Sequence, residues 1–298
     1  MDRVKTSFSI KNLEHLSGIK AHTIRIWEKR YNLFEPERTE TNIRLYNLDS
    51  LQKLLNVSML YKNGFKISKI AKMEANEINE KVHSITLQKS PYDWSLGLFK
   101  LSMINFDHRL FTNTFDELME KMSFGEIYQS IFTPLMIELG VLWQTNSISP
   151  SHEHFITSLI KQKIHSLCEK LQEKQPKTTN QTFVLYLPDN EIHELGLLYL
   201  NYEILHHGYK TIFLGQSVPT TSLSNFQDKY DKITFVSCFT IEPNHDRANE
   251  YLEEFEKEVL STEGSELWIT GYQTRYMTKP KNPKVRIFES SAELIKEL

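Results

Sequence analysis

The 298-residue sequence predicts a multidomain chain in three parts. Residues 1–75 read as an all-α helix-turn-helix head. Residues 91–175 read as a four-helix bundle, after a linker at 76–90. Residues 180–298 read as an α/β doubly wound parallel sheet. Three observations carry this division. Five strand-like stretches are interleaved with four helix-like ones after residue 180, the pattern of an open parallel sheet. The middle is helical by periodicity throughout. The head has two short helical stretches split by Gly18 and a charge opposite to that of the rest.

The length suits two or three domains. Forty per cent hydrophobic and 24% charged residues are ordinary for a globular protein. The net charge of −3 hides an asymmetry. Residues 1–73 hold 14 Lys and Arg against 7 Asp and Glu, and the remainder holds 21 against 31. A basic head on an acidic body points to a polyanion as the head's partner. No apolar run approaches the roughly 18 residues of a membrane span, so no membrane partner is expected. Met1 to Thr6 lacks the apolar core of a signal peptide. Cys168 and Cys238 lie far apart and form no CxxC, which suggests a reducing compartment, no zinc site and a cytoplasmic protein.

In the head, Ile10 to Ser17 reads as a first helix with Ile10, Leu13 and Leu16 on one face. Ala21 to Tyr31 reads as a second, with Ile24 and Trp27 inward. Its outward residues include His22, Thr23, Arg25, Lys29 and Arg30. Arginine can grip guanine O6 and N7 together, and the others suit phosphates. A polar stretch carries Arg38 and Arg44 on an expected hairpin. Leu48 to Asn63 and Lys66 to Met73 read as two more helices. Ala71 to Leu87 is only weakly periodic, and Lys89-Ser90-Pro91 reads as linker.

The middle divides into Tyr92–Asn105, Asp107–Ser123, Phe124–Thr145 and Pro150–Glu173. Asp107, Ser123 and Ser149 are expected N-caps, and Pro150 suits a first helical turn. Trp143 is followed after nine residues by Glu153-His154, across the join of two helices. An indole, a carboxylate and an imidazole could then face one opening. Plainer roles stand beside this: Trp143 as core, Glu153 beside a helix N-terminus, His154 as packing. His152 and His154, two apart, do not share a helix face and make a poor metal pair.

In the tail, Gln181–Leu187, Lys210–Leu214, Lys232–Ser237, Glu266–Thr270 and Lys284–Phe288 read as strands. Gly196–His207, Thr221–Tyr230, Arg247–Ser261 and Ser291–Leu298 read as helices. The first strand runs into Glu191-x-His193-x-x-Gly196. A histidine on a loop leaving a strand sits where such sheets bind ligands. His206-His207-Gly208 reads as a helix end. There is no nucleophile elbow, P-loop, HExxH or paired catalytic carboxylates, so no enzyme is expected.

The run from His22 to Tyr31, then Pro36-x-Arg38 and Arg44-x-Tyr46, resembles the MerR family of winged helix-turn-helix regulators over about 70 residues. The resemblance implies DNA contacts from Thr23, Arg25 and Arg30 on the recognition helix and from Arg38, Arg44 and Tyr46 on the wing. Trp27 and Tyr46 suit the core as well, whereas Arg25 and Arg44 have no clear apolar role. The family implies a dimer through a coiled coil that this sequence lacks, so assembly would depend on the rest of the chain.

Glu191-x-His193-x-x-Gly196 resembles the cobalamin-binding signature, which mostly has aspartate at the first position. The resemblance implies that His193 ligates the cobalt of cobalamin from below. Ser237 stands where that family has the serine of Ser-x-Leu. Gly271 stands at the first of two glycines, with Tyr272 in place of the second. Trp143 with Glu153-His154 resembles the helical cap of MerR-type cobalamin photoreceptors, the CarH and LitR group. There these residues line the upper face of the corrin, with adenosylcobalamin as cofactor. Light-sensing members have a histidine directly after the tryptophan that takes the vacated cobalt position after photolysis; here it is Gln144. The resemblance implies a cobalamin-dependent regulator, in sign a repressor, that binds double-stranded operator DNA as a homo-oligomer, dimer or tetramer. Two alternatives stand beside it. One is a cobalamin-independent regulator with a degenerate sensor for a protein partner, which Tyr272 and Phe239 favour. The other is a corrinoid methyl-transfer protein, which the DNA-reading head argues against.

Overall fold

The computed structural model describes residues 7–86, 91–174, 176, 180–226, 229–261 and 263–298. The chain divides into two compact units, Met1–Leu159 and Ile160–Leu298.

The first unit opens with helix α1 (Ile10–Ser17), started by a capping box. The Ser9 hydroxyl accepts from the Asn12 amide while the Asn12 side chain accepts from the Ser9 amide. Gly18, at φ 70°, ends the helix in the left-handed conformation that glycine adopts without strain. Helix α2 (Ala21–Tyr31) follows and packs on α1, with Leu13, Leu16, Ile24 and Trp27 buried. Strands β1 (Phe8–Ser9), β2 (Glu37–Arg38) and β3 (Arg44–Tyr46) form an antiparallel sheet in the order β1-β3-β2. The β2–β3 hairpin is the expected one; β1 is an addition to the expected all-α head. Helix α3 (Leu48–Lys62) buries Leu51, Leu54, Val57 and Leu60.

Helix α4 (Ile67–Ile70) is one turn of the longer helix expected there. Helix α5 (Ala75–Thr86) occupies most of the stretch expected as linker. The Glu74 amide donates to the Glu77 carboxylate at its start, and Ile78 and Val82, four apart, bury one face, with α5 packed on α3. Two apolar positions suffice to hold a helix that already has a partner, although they make a weak period. Lys89, Ser90 and the Met1–Thr6 segment lie outside the described residues.

Helices α6 (Pro91–Asn105), α7 (His108–Met119), α8 (Phe124–Ile127), α9 (Thr133–Gln144) and α10 (Pro150–Gln172) make up the helical middle. Asp107 and Ser123 cap as expected. Ser149 instead bonds through its hydroxyl to His152 Nδ1 at 2.8 Å. The single helix expected from Phe124 is interrupted by a π turn, Tyr128–Phe132. Pro134 lacks the amide that would continue the α pattern, and the Thr133 amide reaches back to Tyr128 instead. Phe99, Phe111, Phe115, Phe124 and Phe132 form the aromatic core, with neighbouring ring centroids 5.1–6.5 Å apart.

The second unit is built on strands β4 (Thr182–Tyr186), β5 (Lys210–Gly215), β6 (Ile233–Cys238), β7 (Ser265–Thr270) and β8 (Val285–Ile287). All pair in parallel, in the order β5-β4-β6-β7-β8. Chain direction across the sheet therefore reverses between β4 and β6, and an open α/β sheet binds its ligands at the carboxyl ends of those two strands. Side chains along β4 alternate between two buried layers. Val184 and Tyr186 join Phe235, Leu252 and Phe255 on the side of helix α12 (Ala248–Glu258). Phe183 and Leu185 join Leu197, Leu200 and Leu294 on the side of helices α11 (Leu195–His206) and α13 (Ser291–Ile295). The helix expected over Thr221–Tyr230 is not formed. Two 3-10 turns, Thr220–Ser222 and Ser224–Phe226, stand there, and residues 227–228 lie outside the described set. The Ser224 hydroxyl donates to the Thr221 carbonyl, the local competition by which serine and asparagine resist helix.

Gly271 closes β7 at φ 114° and ψ 174°, a region open to glycine alone. A Cβ there would lie 2.5 Å from the Phe239 carbonyl oxygen and 2.7 Å from its nitrogen. The loops after β6 and β7 touch backbone to backbone. Gly271→Ala is expected to destabilise the chain by about 3 kcal/mol or more in denaturant unfolding; a change under about 0.5 kcal/mol, the range of a neutral surface substitution, would contradict this contact.

Candidate functional site

The site at the strand switch is organised by one buried carboxylate. Glu191, fully buried, lies on the loop that leaves β4. Its Oε1 accepts from the amides of Ile192 and His193, both at 2.8 Å, and faces His193 Nδ1 at 2.6 Å. Its Oε2 accepts from the amides of Thr240, Ile241 and Glu242 at 3.2, 2.6 and 2.9 Å. These last three belong to the loop after β6. One side chain thus joins the two loops that flank the switch. Burial pushes the Glu191 carboxyl up, but the amides of Ile241, His193 and Glu242 and the His193 ring together outweigh it and hold the group below its ordinary range.

An ionised carboxylate only accepts hydrogen bonds, so His193 Nδ1 is the donor in this contact, and the neutral ring in this tautomer offers its lone pair at Nε2. The His193 side chain is 51% exposed while its partner is wholly buried. This is the arrangement of an oriented metal-ligating imidazole, fixed at one nitrogen and open at the other. Ile192, Ile241 and Tyr272, each more than half exposed, put apolar surface on loops after β4, β6 and β7. The donor chemistry fits a cobalt-bearing macrocycle at His193.

The other expected contacts of the tail are placed differently. Ser237 is fully buried and donates to the Tyr186 carbonyl at 2.8 Å, so its hydroxyl joins β6 to β4 and does not front an open surface. Gly271 meets the Phe239 backbone, and its missing side chain makes room for protein. Gly196 lies in the first turn of α11, where an added Cβ would be 3.8 Å from Cys238 Sγ, an ordinary contact. Burial, and then the Glu191 charge, push the Cys238 thiol up to about 12; burial pushes the Cys168 thiol up to about 11. Both cysteines are free and unreactive in these settings.

In the first unit, Trp143 is not a core residue: it is 57% exposed on the last turn of α9. Gln144 beside it is exposed. Half-buried Glu153 and exposed His154, near the start of α10, form a pair with Oε2 and Nδ1 3.2 Å apart. His152 is fully buried and stacks on Phe106 at 4.9 Å, which separates its role from that of His154.

In the head, His22, Arg25, Lys29 and Arg30 are exposed along α2 and Thr23 is half-buried, as a reading helix requires. Arg38 is exposed on the hairpin, its Nη1 donating to Asn42 at 2.5 Å. Of the expected wing residues, Tyr46 is buried and Arg44 half-buried, and both are bonded within the head. Tyr46 is 1% exposed and donates through its hydroxyl to Glu28 at 3.0 Å. Arg44 Nε lies 3.0 Å from both oxygens of the same carboxylate. Glu28, on α2, therefore clamps the hairpin to the recognition helix. It was not singled out in the sequence because its partners lie 16 and 18 residues away, beyond any helical or strand period.

Residues 8–77 match the family model described as MerR HTH family regulatory protein, and residues 98–167 match the B12 binding domain. The HTH-type transcriptional repressor CarH of Myxococcus xanthus is 24% identical over 224 residues, 73% of each chain. CarA of the same organism, also an HTH-type transcriptional repressor, is 24% identical over 217 residues, 72% of this chain and 70% of its own. The regulator MlrA of Escherichia coli K12 is 30% identical over 70 residues, 24% of this chain and 29% of its own. Among solved structures, the monomethylamine corrinoid protein of Methanosarcina barkeri has the same fold, with a TM-score of 0.54, 14% identity, and coverage of 66% of this chain and 92% of its own. The second unit's five-stranded parallel sheet is the Rossmann-like fold seen in that corrinoid protein. No helix among the described residues is long and apolar enough to cross a membrane. The chain therefore carries a MerR-type helix-turn-helix regulatory head joined to a B12-binding domain.

Proposed function

We propose that the chain is a cobalamin-responsive transcriptional repressor, not an enzyme, that binds operator DNA through its head as a homo-oligomer. The observation that carries this reading is the His193 imidazole, pinned through Nδ1 to a buried carboxylate at the strand switch with Nε2 on the open side. His193 is the assigned lower ligand, and Trp143, Glu153 and His154 are assigned as further cofactor contacts. When bound, the corrinoid would supply a cobalt centre, with His193 as the residue that would hold it. The adenosyl form is the one we assign, on the likeness to CarH. Glu191 keeps His193 in one tautomer and one orientation, so coordination costs little ordering. The cofactor can shift assembly only through different affinities for the assembled and dissociated chain. Assembly then raises DNA affinity by multivalency, by roughly 10²–10⁴-fold. Gln144 is a poor cobalt ligand, so we assign no second histidine at that position after illumination.

A second reading, a regulator of the same fold that answers to a protein partner, is favoured by Ser237 and Gly271, both closed against protein.

Dark and illuminated absorption spectra of the protein with adenosylcobalamin test the cofactor assignment. A red-shifted cobalt spectrum is expected, lost in His193→Ala and weakened about 10–100-fold in affinity by Glu191→Gln. A colourless protein supports the partner-sensing reading, and a bis-imidazole spectrum after illumination contradicts the role given to Gln144. The depressed Glu191 carboxyl also sets a pH dependence. Its stabilising contribution is complete above the ordinary carboxyl value of 4.5 and is lost as pH falls through the lower native value. Thermal unfolding should show wild type more stable than Glu191→Gln at neutral pH, with the gap closing in acid; a gap independent of pH refutes the ionised brace. In the head, Arg25→Ala should weaken binding to a selected duplex about tenfold and relax its sequence preference, as read by fluorescence anisotropy at several salt concentrations. Unaltered binding would remove Arg25 from the interface.

A further inference from the structure

The loop between α9 and α10 touches the DNA-reading head, and its geometry assigns it a task. It runs Thr145-Asn146-Ser147-Ile148-Ser149, between Trp143 on one side and Glu153-His154 on the other. The end of α9 is a Schellman motif: Asn146 takes φ 50°, its amide donates to the Trp143 carbonyl at 2.9 Å, and the Ser147 amide donates to Leu142 at 2.8 Å. The backbone at Leu142 and Trp143 is thereby bonded to that of Ser147 and Asn146.

Ser147 is fully buried, and its hydroxyl meets three partners. Asn12 Nδ2 donates to it at 3.2 Å, His15 Nδ1 lies at 3.2 Å and Thr145 Oγ1 at 3.0 Å. Asn12 and His15 sit on α1, 135 and 132 residues away in sequence. Asn12 is also the residue whose side chain closes the capping box that starts α1. Helix α1 packs on α2, the helix that carries Arg25 and Arg30, and on α3. Its last turn is held there too, because the Ser17 carbonyl accepts from Ser58 at 2.9 Å and from Lys62 at 3.0 Å on α3. On the other side of the loop, Ser149 bonds to His152, which is buried against Phe106 in the turn that presents Glu153 and His154.

We propose that Ser147 is a coupling residue: its hydroxyl, bound by Asn12 and His15, transmits displacement of the Trp143 and Glu153-His154 segments to the recognition helix within a single chain. This rests on the functional reading above. A short loop that is locked to a ligand-contacting helix end and bonded to α1 has few ways to move without moving α1. The coupling is separate from assembly, since every group in it belongs to one copy of the first unit.

The test is amide hydrogen exchange of Ile10–Tyr31 in the full-length protein, with and without adenosylcobalamin in dim light, alongside the absorption spectrum. Wild type should change its exchange rates in α1 and α2 when the spectrum reports binding. Ser147→Ala should bind with the same spectrum, while the change in exchange falls about fivefold for each hydrogen bond lost. His15→Ala removes an exposed side chain and keeps the test decisive where Ser147→Ala does not fold. Variants that bind the cofactor and retain the wild-type response overturn the relay alone, as does a wild type that binds without any response in α1. A wild type that binds no adenosylcobalamin overturns the functional reading and this inference with it.

Discussion

The second unit depends on one carboxylate placed where a carboxylate is costly. Removing an ion from water is unfavourable unless donors replace the water, and Glu191 recovers that loss from five backbone amides and an imidazole. The donors come from two loops that a parallel sheet brings together only at its switch point. The two loops and the His193 ring are thus joined through one side chain. The chemistry of the site is a consequence of sheet order.

The head repeats this device with different groups. Glu28 binds Arg44 and Tyr46 together, so the recognition helix and the hairpin are positioned by a half-buried ion pair and a buried phenol. Arg44 Nε is shared between both oxygens of Glu28, one of which also accepts from the Tyr46 hydroxyl. The consequence for DNA reading is a division of labour. Arg25, Arg30 and Arg38 face outward, while Arg44 and Tyr46 hold the surface on which those residues are displayed. In both units, then, a defined geometry is obtained by burying an acid among donors that include groups remote in sequence.

Much of the candidate site was legible before the fold. The histidine two residues after an acid, on a loop leaving an apolar strand, already marked an oriented imidazole. Exposure of Arg25 and burial of Trp27 followed from helical period. Trp143 was harder: an indole near a helix end has no period that separates core from surface, and its 57% exposure was decided by the turn that follows it. Ser237 and Gly271 were assigned from spacing, yet spacing does not record what fills the space behind a strand, which here is the Tyr186 carbonyl and the Phe239 backbone.

The sequence by itself determined the local structure: helix limits set by Ser9, Gly18, Asp107 and Ser123, the five strands, and the pairing of acid with imidazole across two residues. These follow from caps, periods and side-chain reach, which act over a few residues. Tertiary structure alone decided that Glu191 would meet Thr240 to Glu242, that Arg44 and Tyr46 would turn to Glu28, and that Ser147 would meet Asn12 and His15. The reason is physical: such contacts are selected by the burial of polar groups that must find partners wherever the packed chain supplies them.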